Sequence, residues 1–149
     1  MNIKNYTSDV PVNRTVARIE EVLAQSGACS IQKEYGPEGS VSALRFELET
    51  PSRKNVFIRL PVDPDKVFKA LAKSVRHPQR GTMDRIREQA GRTAWKLMQD
   101  WVEVQVSLIK MEQVEPLEVF MPYVLVSRHQ TLFQQLKESQ YKALLPETT

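Results

Sequence analysis

The sequence predicts an α+β protein: an antiparallel sheet of three to four strands with helices on one face, and a long helix in the C-terminal half. Three observations predict this fold. Apolar residues recur at helical spacing near the N-terminus, three later segments alternate apolar and polar residues, and residues 83–112 return to helical spacing. The 149 residues are predicted to form a single domain, with a helix and a strand meander in residues 1–62 and mostly helix in residues 63–149.

The N-terminal region is predicted to hold a short strand, Ile3 to Tyr6, and then a helix. One helical face is indicated by apolar residues at spacings of 4, 3 and 4, namely Val12, Val16, Ile19 and Leu23. Gly27 follows this face, and a glycine at such a place ends a helix in the left-handed conformation.

Three strands are predicted next, as an antiparallel meander. They cover Cys29 to Tyr35, Val41 to Glu49 and Lys54 to Leu60, and the last two alternate apolar and polar side chains. Gly36-Pro37-Glu38-Gly39 is typical of a hairpin turn. Cys29 is the only cysteine, so an intrachain disulfide is excluded, and we expect a buried thiol.

The second half of the chain is predicted to be helical. Asp63 followed by Pro64 is typical of a helix start, and Thr82 is predicted to cap the long helix. The main apolar stripe of that helix is predicted to hold Met83, Ile86, Ala90, Leu97, Trp101, Val104, Leu108 and Met111. This stripe is widened by a second apolar line, which holds Trp95, Met98, Val102, Val106 and Ile109. We therefore expect the helix to cross the domain or to pack in a homo-oligomer. Thr131 to Leu145 is predicted as the last helix.

Several classes of function lack their sequence signals. The five glycines form no phosphate-binding loop, and His77 and His129 are isolated, so we expect no cofactor, no metal and no enzyme activity. The longest apolar run, Val119 to Val126, is far shorter than the roughly 20 residues of a membrane span. No secretory signal is evident, so we expect a cytoplasmic protein with no membrane partner. A metal-dependent nuclease using Glu47 and Glu49, with Lys54 nearby, is the remaining enzyme hypothesis.

Positive charge is concentrated in residues 66–96, which hold nine basic and two acidic residues although the whole chain has a net charge of only +3. This distribution favours binding of phosphates. The predicted nucleic-acid contacts are Lys66, Lys69, Lys73, Arg76, Arg80, Arg85 and Arg92. The alternative is a solvated surface with local i, i+4 ion pairs, Glu88 with Arg92 and Lys96 with Asp100. The α-β-β-β-α order of residues 12–75 is also that of double-stranded-RNA-binding domains, an analogy of topology only.

Aromatic residues in the second half suggest contacts with a protein partner. Trp95 and Trp101 are six residues apart on the long helix and cannot both point to one narrow stripe. Trp101, Phe120 and Tyr123 are therefore predicted as partner contacts, with a place in the core as the alternative for each.

Several segments resemble short hypothetical proteins of phages and mobile elements. They are Asn5-Tyr6-Thr7, VNRTVARIEEVLAQSGA from Val12, RTAWKLMQDWVEVQ from Arg92, EVFMPY from Glu118, and Thr131-Leu132-Phe133. The resemblance implies a small accessory protein in a bacterial host cell and implies no activity. The expected function is nucleic-acid binding through residues 66–96, and the alternative is a module that binds or inhibits a host protein complex.

Overall fold

The predicted antiparallel sheet is present, with strands β1 (Ser30–Tyr35), β2 (Val41–Glu49) and β3 (Asn55–Arg59) in the order β1-β2-β3. The computed structural model describes residues 3–52, 54–77 and 79–147, without the side chain of Arg80. The turn after β1 is closed by a hydrogen bond of 2.8 Å from the Gly36 amide to the Ser40 carbonyl. Gly39 has a φ of 78°, which glycine adopts without a steric penalty.

Helix α1 (Val12–Gln25) packs its predicted apolar face into the core. Val16, Ile19 and Leu23 are buried there against the core side chains of β2, Leu44, Phe46 and Leu48, which alternate along the strand. Gly27 follows the helix with a φ of 99°, as predicted. One face of the sheet is therefore covered by helices, as the sequence predicted.

Helix α3 (Arg80–Lys110) crosses the domain, and the second apolar line is the one that is buried. Trp95 is completely buried, and its indole N–H donates to the Val41 carbonyl at 3.2 Å. Val104 and Met111, assigned to the main stripe, are 56% and 69% exposed. The predicted stripe was wrong at these two positions, although Ala90 is buried as predicted. Both lines have helical spacing, and only packing against the sheet selects between them. Thr82 lies inside the helix, whose N-cap is Gln79.

Helix α2 (Pro64–Ala72) packs against α3, and none of its residues is fully buried. Beside α1, the helix that packs against the sheet is α3, and it contributes Trp95, Met98, Val102 and Val106 to the core. The analogy with double-stranded-RNA-binding domains, which relied on α2 as the second helix of the core, therefore does not extend to the packing.

The C-terminal region is built from short elements. Helix α4 (Pro116–Phe120) and one turn of 3-10 helix lead to a two-stranded sheet, β4 (Leu125–Ser127) and β5 (Gln130–Thr131). Helix α5 (Leu132–Glu138) is shorter than predicted, because the backbone turns left-handed at Gln140 and Tyr141. Its N-cap is Thr131, whose hydroxyl accepts from the Gln134 amide.

Two further predictions were wrong. Ile3 to Tyr6 forms a turn rather than a strand, with Asn5 at a φ of 64°. Asn5 tolerates this conformation better than most residues and donates its side-chain amide to Asp100 at 2.8 Å. Cys29 is exposed because it precedes β1 at the edge of the sheet. In the described part of the chain, no helix has both the length and the apolar composition needed to cross a membrane.

Candidate nucleic-acid interface

Helix α2 carries its basic residues on the side that faces solvent. Asp63 starts the helix by accepting hydrogen bonds from the Asp65 and Lys66 amides at 3.1 and 3.3 Å, as predicted, and Pro64 occupies the first turn. Lys66, Lys69 and Lys73 follow at i, i+3 and i+7, within one narrow arc of the helix. The cap therefore fixes where the helix begins and the direction in which these lysines point.

The opposite side of α2 is anchored on α3 by one arginine. The Arg87 guanidinium lies over the Phe68 ring, 4.1 Å from its centroid, and is 3.5 Å from an Asp65 carboxylate oxygen. Such a cation–π contact is worth about 0.5–1 kcal/mol at an exposed site. Phe68 is thus covered, and Arg87 is engaged in holding the two helices together.

Four of the predicted contacts lie together and are exposed: Lys66, Lys69, Lys73 and Arg76. We call these four residues the α2 basic surface. Among the described side chains, none of them has a carboxylate within 4.0 Å, in contrast to Lys33, which lies 3.0 Å from Glu20. Over Lys66 to Lys73 the surface extends by about 10 Å along the helix axis. The charge here is available to an external ligand.

The other predicted contacts on α3 do not extend this surface. Arg85 is exposed but lies two residues from Arg87, which is about 200° around the helix and therefore away from α2. Arg92 is half-buried and donates to the Ser8 carbonyl at 3.2 Å and to Gln89 at 2.8 Å, so it fastens the N-terminal segment. The side chain of Arg80 lies outside the described part of the chain.

A local ion-pair network lies one turn beyond Arg92 on the same face of α3, at Lys96 and Asp100. Lys96 lies 3.9 Å from Asp100, as the alternative interpretation predicted, and Lys4 lies 3.3 Å from the same carboxylate. The other pair of that interpretation, Glu88 with Arg92, is not formed, because Arg92 donates to the Ser8 carbonyl and to Gln89 instead. Partial burial, the largest influence, raises the pKa of Asp100. The hydrogen bond from Asn5 and the charge of Lys4 more than offset it, and the pKa falls below its ordinary value of 3.8. Arg87, Arg92 and Lys96 of α3 are therefore engaged within the protein, whereas Arg85 is exposed like the four residues of the α2 basic surface but points away from them.

The predicted partner residues form an aromatic cluster within the chain. Phe120 is only 2% exposed, and its ring contacts Phe46 and Trp101 edge to face at 5.2 and 5.8 Å between centroids. Trp101 also meets Tyr123 edge to face at 5.7 Å. Phe120 therefore has the core position that was the alternative, and Trp101 and Tyr123 are partly buried beside it.

The carboxylates of the nuclease hypothesis lie on β2. Glu47 accepts a hydrogen bond of 2.6 Å from the Asn55 side-chain amide, and Glu49 is exposed at the end of the strand. His77 and His129 are exposed. Within the described residues, no three His, Cys, Asp or Glu side chains are grouped so as to hold a metal ion.

Sequence reasoning missed a groove between the first half of α3, the β1–β2 turn and α5. Its walls include Glu38, Arg59, Glu88 and Phe133, which come from four separate elements. No local pattern joins such residues, because only the tertiary fold brings them together. Phe133 was predicted simply as an apolar residue of the last helix, yet this residue is 46% exposed.

Comparisons with known proteins found no match for this chain among protein-family models, curated proteins or solved structures.

Proposed function

We propose that this chain is a small, non-enzymatic accessory protein of a phage or mobile element that binds nucleic acid through the α2 basic surface. The observation that carries the proposal is the set of four exposed cations without ion-pair partners among the described side chains: three lysines along one face of α2 and its C-cap, and Arg76 in the loop that follows. Lysine and arginine on such a surface neutralise phosphates and release counterions.

The chemistry of the surface favours contacts to the phosphate backbone rather than to bases. Lysine is a point charge on a flexible stem and carries no planar pattern that selects one base edge. The one aromatic ring of α2, Phe68, is partly buried, and Arg87 covers a face of it on which a base would otherwise stack. Binding is therefore expected to be independent of sequence and sensitive to salt.

The number of available charges limits the affinity. If all four cations neutralise phosphates on a duplex, the logarithm of the association constant falls with the logarithm of salt concentration at a slope of about −3.6. A single strand with the same four contacts gives a slope of about −2.8. Both slopes are modest, so binding is expected to be measurable at about 50 mM salt and weak at about 200 mM.

Fluorescence polarisation with labelled duplex DNA, duplex RNA and single strands tests the proposal. Reversal of charge in Lys69→Glu/Lys73→Glu is expected to abolish binding at low salt, because it removes two phosphate contacts and adds repulsion. The matched control Lys54→Glu/Lys142→Glu makes the same change of net charge at exposed lysines elsewhere and is expected to keep most of the affinity. Circular dichroism confirms that each variant is folded.

Absence of binding at about 50 mM salt would refute the proposal. Equal loss in the two double variants would also refute it, because the effect would then come from net charge alone.

A further inference from the structure

The groove beside α3 has the size of a polypeptide segment. It has a volume of about 1360 Å³ and is open along one side, between Gly91 of α3, Pro37 of the hairpin turn and Gln134 of α5. Sites for small molecules usually enclose roughly 300–1,000 Å³ and surround most of the ligand. A chain segment that lies along the groove fits these dimensions better than a small ligand.

The arginines that line the groove are engaged within the protein. Arg87 and Arg92 hold α2 and the N-terminal segment, as described above, and Arg59 lies 3.1 Å from a Glu34 carboxylate oxygen. Arg59 and Arg87 are each paired with a carboxylate, whereas Arg92 donates to uncharged oxygens. Three wall cations, Arg92, Lys66 and Lys137, therefore have no carboxylate within 4.0 Å among the described side chains.

The acidic residues of the walls are less engaged. Five of them have no cation within 4.0 Å among the described side chains: Asp9, Glu38, Asp63, Asp84 and Glu88. They come from the segment before α1, the hairpin turn, the N-cap of α2 and the first three turns of α3, so the negative charge is spread along the groove. The uncompensated charge of the groove is negative, opposite to that of the α2 basic surface.

An aromatic ring completes the groove on its α5 side. Phe133 is nearly half exposed, and its ring is 6.3 Å from that of Tyr141, which lies outside the groove lining. The free side of such a ring suits an apolar side chain or the stem and charge of a lysine or arginine.

We propose that this groove binds an extended segment of a partner protein that carries lysine or arginine next to an apolar side chain. Charge complementarity selects the occupant, because the uncompensated carboxylates attract a basic segment and repel nucleic acid. The groove adjoins the α2 basic surface at Lys66, which lies on its wall, whereas Lys69, Lys73 and Arg76 lie outside its lining. The protein therefore has two adjoining interaction surfaces of opposite charge.

The test uses the full chain and two labelled hexapeptides, one of alternating lysine and leucine and one of alternating glutamate and leucine. Fluorescence polarisation at low salt is expected to show binding of the lysine peptide only. Glu38→Gln/Glu88→Gln is expected to weaken binding of the lysine peptide about three- to tenfold, because two exposed charge pairs are lost. Phe133→Ser is expected to weaken it without a change in charge.

The matched control is Glu49→Gln/Glu112→Gln, which removes two exposed carboxylates outside the groove and is expected to leave the affinity unchanged. The inference is overturned by absence of binding up to about 1 mM peptide, by equal binding of both peptides, or by groove variants that behave like the control. No nucleic acid is present in this assay, so its outcome is independent of the function proposed for α2.

Discussion

The two tryptophans of α3 differ in burial, and conservative substitution is expected to separate them. Trp95 is fully buried and donates a hydrogen bond to Val41, whereas Trp101 is partly buried beside Phe120 and Tyr123. Trp95→Phe removes that hydrogen bond, worth about 1 kcal/mol. It also removes ring atoms equivalent to one or two methylene groups, at about 0.8 kcal/mol each. The expected loss in the free energy of unfolding is about 2–3 kcal/mol.

Trp101→Phe is the matched control. A phenylalanine ring can keep edge-to-face contacts with its two neighbours, and part of the lost surface was already in water, so the expected loss is below about 1 kcal/mol. Urea unfolding followed by far-UV circular dichroism measures both values, with a constant m-value as the check on two-state behaviour. Equal losses, or a larger loss for Trp101→Phe, would refute the assignment of Trp95 to the centre of the core.

Three further predictions concern a turn, a cap and an ion pair. Gly27→Ala is expected to lower the free energy of unfolding by about 1 kcal/mol. Gly27 has a φ of 99° and open space around it, so the substitution strains only the backbone. An unchanged urea-unfolding curve would contradict this prediction. Asp63→Ala is expected to cost about 1 kcal/mol and to speed amide exchange at Asp65 and Lys66, which lose their hydrogen-bond acceptor; unchanged exchange would rule out the cap. Asp100 has a lowered pKa in the folded state, so its contribution to stability is present above pH 3.8 and is lost as the pH falls through the folded-state value. Asp100→Asn is expected to flatten the pH dependence of stability in this range, and an identical acid transition in both proteins would contradict the assignment.

Local signals predicted the first half of the fold. The 4-3-4 spacing of α1, the alternation in β2 and β3, and the Gly36 to Gly39 turn each specify one element without reference to the rest of the chain. The Asp63 cap is also a local signal. Because it fixes where α2 begins, it also predicted which face of the helix carries the lysines.

The predictions that failed depended on tertiary packing. Both apolar lines of α3 have helical spacing, and the contact of Trp95 with the sheet decides which of them is buried. Arg92 looked like a surface cation in the sequence, but the N-terminal segment returns to α3 and places the Ser8 carbonyl within reach of it. Sequence also could not show that Arg85 and the lysines of α2 point in different directions, because this depends on how α2 docks on α3.

The salt dependence of duplex binding, measured for the natural protein and for Lys69→Gln/Lys73→Gln, tests the central claim most directly. Neutral glutamine removes two cations from the α2 basic surface without adding repulsion. If both cations contact phosphates, the slope against the logarithm of salt concentration becomes less steep by about 1.8. An unchanged slope would contradict the claim, because it would mean that phosphates are held elsewhere on the molecule.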